Sequence, residues 1–251
     1  MASASSRSKL PGASERVASK RAGTRRRRPS GGAKLFEFDR SFGARLVAGT
    51  DEAGRGCLAG PLVAAAVMFD CEKLAGARLG GLGELDDSKR CSAEVRERLY
   101  PLILASAASV VVVSRSAQTI DARGLHKTNI AALEAALRGI LAAGGERPVC
   151  LVDGFQLPAL DAGQRAVVGG DRTSAAIAAA SIVAKVTRDR LMRHLDGLHP
   201  GWGFAQHVGY ATAAHRAAIV RLGVSPLHRL SFQSSSYGEQ LTLQEPLAAA
   251  R

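Results

Sequence analysis

Apolar positions along this chain repeat with two different periods. Three short runs, 46–50, 62–69 and 109–115, are dense in Val, Leu and Ala and have the length of buried strands. The first two are separated by a glycine-rich turn, so they are expected to pair as an antiparallel hairpin. Val149-Cys150-Leu151-Val152 ends in Asp153-Gly154 and fits a buried parallel strand, and 165–168 reads as one more short strand. Helical spacing takes over elsewhere. Ser92 is the expected N-cap of a helix with Glu94 in its first turn and Val95, Leu99 and Leu102 along its apolar face. Residues 126–142 form a second such pattern through Ile130, Leu133, Leu137 and Leu141. A long helix is expected from about Thr173 to Leu195, and an amphipathic one over 209–222. The long helix opens on Ala175, Ala176, Ala178, Ala179 and Ala180, side chains small enough for its backbone to lie close against a sheet. Gly76 to Gly83 reads as a loop, and Asp86-Asp87-Ser88-Lys89 as a polar cluster ahead of the first helix.

Strands first, then helices alternating with strands, predict an α/β domain with a mixed sheet flanked by helices. The domain is expected to begin at Leu35-Phe36-Glu37-Phe38 and to end at 232. A tail over 1–34 precedes it, and a short tail over 233–251, rich in Gln, Ser and Ala, follows. The pattern contains no internal repeat and no second domain.

Composition refines this picture in three ways. A hydrophobic content of 46% supplies a core, although only 4% of residues are aromatic. No apolar run reaches the ~18 residues of a membrane span, and there is no secretory apolar segment near the N-terminus, so a soluble, cytoplasmic protein is expected. Cys57, Cys71, Cys91 and Cys150 show no C-x-x-C spacing and are expected to be reduced. The net charge of +12 is uneven: residues 1–34 hold ten Lys/Arg against the single acid Glu15, which leaves +3 for residues 35–251. The tail is expected to be unstructured. Arg25-Arg26-Arg27-Arg28 suits non-specific attraction to nucleic acid by counterion release. An organelle transit peptide and a merely solvated tail are the rival readings, and the absence of apolar periodicity speaks against the transit peptide.

Candidate chemistry gathers around Asp51-Glu52-Ala53-Gly54-Arg55-Gly56. Two adjacent carboxylates at a strand end can hold a hard cation, and the Gly-Arg-Gly turn lets a ligand approach bare backbone N–H groups. Asp153 also ends a strand beside a glycine, where ligand sites of α/β sheets collect. Asp189 shares a helical stripe with Lys185 and Ile182, which should turn it toward the sheet. Four converging carboxylates repel one another, and divalent cations relieve that repulsion. An all-oxygen set suits Mg²⁺ or Mn²⁺ rather than zinc, and its standard use is two-metal attack on a phosphodiester. The bland readings are a turn residue for Asp153 and a surface ion pair with Arg188 or Arg190 for Asp189. The six histidines show no H-E-x-x-H spacing and no clustering with the cysteines.

Asp-Glu-Ala-Gly-Arg-Gly at 51–56, Asp-Ser-Lys at 87–89, Val-Asp-Gly at 152–154 and Ala-Ala-Ser-Ile-Val-Ala-Lys-Val-Thr-Arg-Asp at 179–189 resemble the type 2 ribonuclease H family (ribonuclease HII). Gly209-Tyr210-Ala211-Thr212, His215 and His228-Arg229-Leu230-Ser231-Phe232 continue the likeness, in the family's order over 46–232. The resemblance implies an RNase H-like fold. It implies a monomeric endonuclease that cuts the RNA strand of RNA–DNA hybrids and cuts at ribonucleotides embedded in duplex DNA. It implies Asp51, Glu52, Asp153 and Asp189 as the metal-binding catalytic acids. By the same resemblance Gly54, Arg55 and Gly56 sense the ribose 2′-OH, the group that tells RNA from DNA locally. Lys185, Tyr210 and His228 are further substrate-binding candidates, with Lys185 equally suited to balancing Asp189. Members with a C-terminal helical extension use it to bind substrate, a role for which 233–251 is too short and which the basic tail can take over. The competing class is a non-catalytic basic nucleic-acid-binding module, for which a cluster of carboxylates facing phosphate has no use.

Overall fold

A computed structural model describes residues 31–74, 76–160 and 163–232, together with Met1 and Tyr237. Most of the arginine-rich tail therefore lies outside the described residues, as does nearly all of 233–251. The order of elements is α1 (Gly31–Arg40), β1 (Leu46–Ala53), β2 (Leu62–Asp70), α2 (Ala93–Ser106), β3 (Ser109–Arg115), α3 (Ala117–Arg123), α4 (Leu125–Ala142), β4 (Val149–Asp153), β5 (Gln164–Val167), α5 (Ala175–Leu198), α6 (Phe204–His207) and α7 (Ala213–Leu222), with short 3₁₀ turns between.

The five strands form one mixed sheet in the order β3-β2-β1-β4-β5. The hairpin of β1 and β2 is antiparallel, as is β2 with β3, whereas β4 runs parallel to both β1 and β5. Each face of the sheet carries its own core. On one face Val63, Ala65, Val67 and Leu151 pack against α1, α2 and the alanine-rich half of α5. On the other, Ala48, Leu62, Ala64, Cys150 and Val152 pack against Leu133, Ala136, Leu137 and Ile140 of α4. The small side chains of α5 do bring it close. A Cβ on Gly49 of β1 would sit 2.3 Å from the backbone carbonyl carbon of Ala176, so the helix rests almost on the strand.

Several expected details shift. Asp51 and Glu52 stand inside β1 rather than after it, because the ladder with β2 continues through Ala53↔Val63. The linker of the hairpin is the eight-residue segment 54–61. Gly76–Glu84, expected as a loop, is a kinked pair of 3₁₀ turns. Ser92 caps α2 by accepting from Val95 N, but the buried face is Leu99 and Ile103, and Leu102 points outward at 38% exposure. On α4, Leu133 and Leu137 are buried, while Ile130 and Leu141 only flank the core. α7 begins at Ala213, and α6 occupies part of the preceding stretch.

Described residues lie beyond both expected domain edges. Helix α1 starts at Gly31, and its Asp39 carboxylate accepts the Ala176 N–H at 2.9 Å, capping α5 from a distance of 137 residues in sequence. At the other end the Tyr237 side chain is buried and its hydroxyl donates to Leu58 O at 3.0 Å. All four cysteines are free and buried. Among the described residues no helix is long and apolar enough to cross a membrane.

Candidate active site

Strand alternation governs the acidic corner. In the parallel pair of β1 and β4, Thr50 is in register with Val152, so Asp51 and Asp153 follow as neighbours at the ends of adjacent strands. Glu52, one residue on, points to the opposite face, where α4 lies. All three carboxylates nevertheless line one cavity of about 390 Å³ at the carboxyl end of the sheet. Gly54, Arg55, Gly56, Ser88, Lys89, Arg96, Ser181, Lys185 and Tyr210 complete its wall.

Electrostatics ties the three acids together. Burial, then the charge of Glu52, pushes the Asp51 carboxyl up to about 8, and Asp153 adds to the effect. Ser181 and the Glu52 N–H, 2.7 Å from Asp51 Oδ1, act in the other direction. Glu52 is likewise raised, first by burial, while Arg55 opposes the shift from 3.7 Å. Asp153 is oriented by the Gly170 N–H, which donates to its Oδ1 at 2.7 Å. Carboxyls raised in this way, Asp51 and Glu52, are poised to exchange a proton for a cation. Their all-oxygen donor set fits a hard divalent ion. Among the described residues no three acidic, histidine or cysteine side chains converge tightly enough to form a ready-made ion cage. The opposed orientations of Asp51 and Glu52 are one reason.

Asp189 stands apart from the cavity wall. It lies eight residues beyond Ser181 on α5, roughly 12 Å along the helix axis. Its partner is neither flanking arginine but Lys185, whose Nζ donates to Asp189 Oδ1 at 2.8 Å. Lys185 thus lines the cavity and balances Asp189. Arg190 pairs with Glu97 on the surface, and Arg188 is fully buried. His228 does not reach the cavity. It is buried at 2% exposure among His215, Phe204, Trp202 and Tyr237, too deep to touch a substrate. Tyr210 does reach it, exposed on the wall with Lys185 Nζ 5.1 Å from its ring centroid.

The Gly54–Gly56 segment is held from outside. Arg188 donates from Nε to Pro61 O at 2.9 Å, from one terminal nitrogen to Val208 O at 2.7 Å and from the other to Ala59 O at 3.0 Å. Arg229, also fully buried, donates to Arg55 O and twice to Gly60 O. Two buried guanidiniums satisfied wholly by carbonyls fix the loop without touching a carboxylate. The two outer glycines differ in consequence. Gly54 has φ 87°, and a Cβ there would fall 2.0 Å from Arg188 Nε, so its identity is demanded from within. Gly56 has open space around it, so nothing internal requires a glycine there.

Several residues on or behind the wall were not singled out as site candidates from sequence. Ser181 is the lone polar residue of the apolar run 175–184, a legible signal, and its Oγ lies 2.8 Å from Ser88 Oγ. Asn129 is a polar residue on the buried stripe of α4. It stands against Glu52 and favours its charged form, although neither amide atom has a partner in full hydrogen-bonding geometry. Asp171 is buried beside Asp87, with Lys89 Nζ 3.6 Å away; burial and then Asp87 raise its carboxyl. Nothing in the local sequence announces that pairing.

Residues 48–235 match the family model described as Ribonuclease HII. The ribonuclease HII of Mycobacterium tuberculosis (strain ATCC 25618 / H37Rv) is 47% identical over 186 residues, which cover 74% of this chain and 67% of that protein. The crystal structure of the ribonuclease H2 from Pyrococcus horikoshii OT3 superposes with a TM-score of 0.64 at 24% identity, over 79% of this chain and 100% of that one. The crystal structure of Bst-RNase HIII in complex with Mn²⁺ does so with a TM-score of 0.63 at 21% identity, over 78% and 69%. Both likenesses bear on the fold, which is the expected RNase H-like one.

Proposed function

The chain belongs to the ribonuclease HII family, enzymes that cleave the RNA strand of RNA–DNA hybrids, and from that premise we propose how its cavity does so. Asp51, Glu52 and Asp153 hold a divalent cation, Mg²⁺ or Mn²⁺, while Asp189, apart from the cavity wall, anchors Lys185 beside it. When bound, such a cation supplies water activation and stabilisation of the leaving oxygen. The observation that carries this reading is the Asp51 carboxyl, raised to about 8 in a cavity shared with two further acids. A carboxylate so placed is worth its cost to the fold when a cation is present to neutralise it.

The remaining wall selects and orients the substrate. Gly56 offers bare backbone to the ribose, so a 2′-OH can hydrogen-bond where a side chain would exclude it. Arg55, half exposed, and Lys89 and Lys185 bind the phosphates beside it. Tyr210 packs on the sugar-phosphate backbone next to the scissile position. Because the ribose is read locally, a single ribonucleotide embedded in duplex DNA is a substrate as well as a continuous hybrid. The enzyme works as a monomer in the cytoplasm, in keeping with its four free thiols.

The test is cleavage of a hybrid and of a DNA duplex carrying one ribonucleotide, with each metal in turn. Asp51→Asn is expected to lose roughly 10³-fold in rate, several kcal/mol at 1.36 kcal/mol per decade, while still binding the hybrid. Metal-independent cleavage, or retained activity in Asp51→Asn, would sink the reading.

A further inference from the structure

Two buried histidines that stay out of the cavity, His215 and His228, are joined by a hydrogen bond behind its wall, and a third, His207, stacks against them. His215 Nδ1 lies 2.9 Å from Tyr210 O, and a carbonyl only accepts, so this nitrogen carries the proton. The Ser225 N–H donates to His228 Nδ1 at 2.8 Å, so that nitrogen carries a lone pair and the proton sits on Nε2. The two assignments meet without conflict: His228 Nε2 donates to His215 Nε2, 3.1 Å away. His207 is set in the same manner, accepting from Gly209 N at 3.1 Å on Nδ1 and donating from Nε2 to Trp202 O at 2.8 Å. Its ring stacks on His215 with centroids 4.0 Å apart, and Phe204 presses edge-on against both.

Every ring nitrogen in this group is satisfied in a single role, His228 Nδ1 by both the N–H and the hydroxyl of Ser225, and the chain has a direction. It starts at the Ser225 N–H, in the segment that also holds Leu227 and Arg229, and ends on the main-chain carbonyl of Tyr210. That segment in turn grips the catalytic loop: the Gly60 N–H donates to Leu227 O, and the Arg229 N–H to Leu58 O. The Tyr210 ring reaches the cavity, whereas its backbone is tied to the histidines.

We propose that His228 and His215 are positioning residues that transmit the placement of the 54–61 loop to Tyr210, holding the tyrosine ring in fixed relation to Gly54–Gly56. This rests on the reading of Tyr210 as a substrate-contacting group. The pairing gives the wall a single geometry, so the 2′-OH site and the aromatic contact are set together rather than independently. The tautomer order matters more than the bulk of the rings, because only an Nδ1–H on His215 can reach the Tyr210 carbonyl.

Asparagine and glutamine separate the two ends of an imidazole. In His215→Asn the amide nitrogen stands near the Nδ1 position and keeps the donor to Tyr210 O. In His215→Gln the amide oxygen stands near Nε2 and keeps the acceptor for His228, but the donor to Tyr210 is lost. On a duplex with one ribonucleotide, His215→Gln is expected to raise KM about tenfold with kcat within twofold, and His215→Asn to stay within about twofold of the parent in both. Equal impairment of the two variants, tracking their loss of thermal stability, would mean that the histidines merely pack, and would overturn the proposal. Tyr210→Ala in the same assay separates the two levels of the argument. If it leaves KM unchanged, the reading of the tyrosine fails and the relay with it. If it raises KM while His215→Gln does not, the relay alone fails. Nitrogen NMR of the imidazoles in the parent protein gives an answer independent of any variant. His215 should be the Nδ1–H tautomer and His228 the Nε2–H tautomer, and the reverse order refutes the chain.

Discussion

The two sides of the cavity are stabilised by opposite means. The acidic side is built from adjacent strands, close in space because β1 and β4 are in register, and it is internally unfavourable. Burial raises Asp51 and Glu52, the charges of Glu52 and Asp153 add to the rise at Asp51, and Arg55 and Lys89 offset it at Glu52. The loop side is assembled from residues far apart in sequence and is internally satisfied: Arg188 and Arg229 meet six carbonyl contacts, and the histidines close a complete chain. One side is an acidic set suited to a counter-ion, and the other is a rigid template. Chemistry needs the first to respond to a cation, and selectivity needs the second not to move.

That contrast is easiest to break at Asp51, where the activity loss described above should be joined by a gain in stability. The folded carboxyl titrates near 8 against 3.8 in the unfolded chain, so the metal-free fold loses stability as pH rises through that window. Asp51→Asn should therefore melt higher than the parent at pH 8 without metal, and added Mg²⁺ should narrow the gap. A parent that melts higher than the variant under those conditions would contradict the picture of an internally unfavourable acidic side.

On the loop side a lost group should act the other way. Arg188→Met leaves the carbonyls of Ala59, Pro61 and Val208 without a donor in a closed interior, at a cost of roughly 3 kcal/mol or more. Urea unfolding would measure it, and a change below about 1 kcal/mol would show that the loop does not depend on the guanidinium. Gly56→Ala sharpens the comparison more gently. With open space and no positive φ at Gly56, stability should stay within about 0.5 kcal/mol. Cleavage at a single ribonucleotide should fall by roughly tenfold as the methyl group intrudes on the ribose. Loss of stability with intact cleavage would reverse the assignment.

The smallest effect concerns acid. Burial holds His215 and His228 down to about 4, against 6.5 when unfolded. The unfolded chain then binds more protons between those values, so their contribution to stability is present above pH 6.5 and is lost as pH falls toward 4. Asp39, raised to about 6, and Asp51 work in the opposite direction over part of that range. The histidine share is isolated by difference: His215→Asn should flatten the fall in stability between pH 6.5 and 4 relative to the parent. Parallel pH profiles would remove the buried histidines from the account.

Local pattern carried a good deal of this. The three strand-like runs, the helix over 126–142 and the alanine-rich helix are each written in their own residues, because period and side-chain volume act over a few positions. Ser92 as a cap, Asp153 at a strand end and the Gly54–Gly56 segment were legible for the same reason. Long-range sets decided the remainder. Leu102 turned outward because α2 meets the rest of the protein along Leu99 and Ile103, a choice made by its neighbours and not by its spacing. Asp189 shares a stripe with Lys185, but one further helical turn carries it past the cavity wall, a distance that a helical wheel does not record. His228, expected to bind substrate, is an interior group because Tyr237 and Phe204 close over it.

The sequence by itself determined which side chains are available at the site: the carboxylates, the glycines, the basic residues and the family they signal. It did so because strand ends and tight turns restrict residue type within a few positions. The tertiary structure alone decided how they are held. Only the register of β1 with β4 makes neighbours of Asp51 and Asp153, and only the return of the chain after α5 brings Arg229, His215 and His228 behind a loop up to 174 residues upstream. Pairings at that separation depend on which surfaces meet, and no local pattern encodes that.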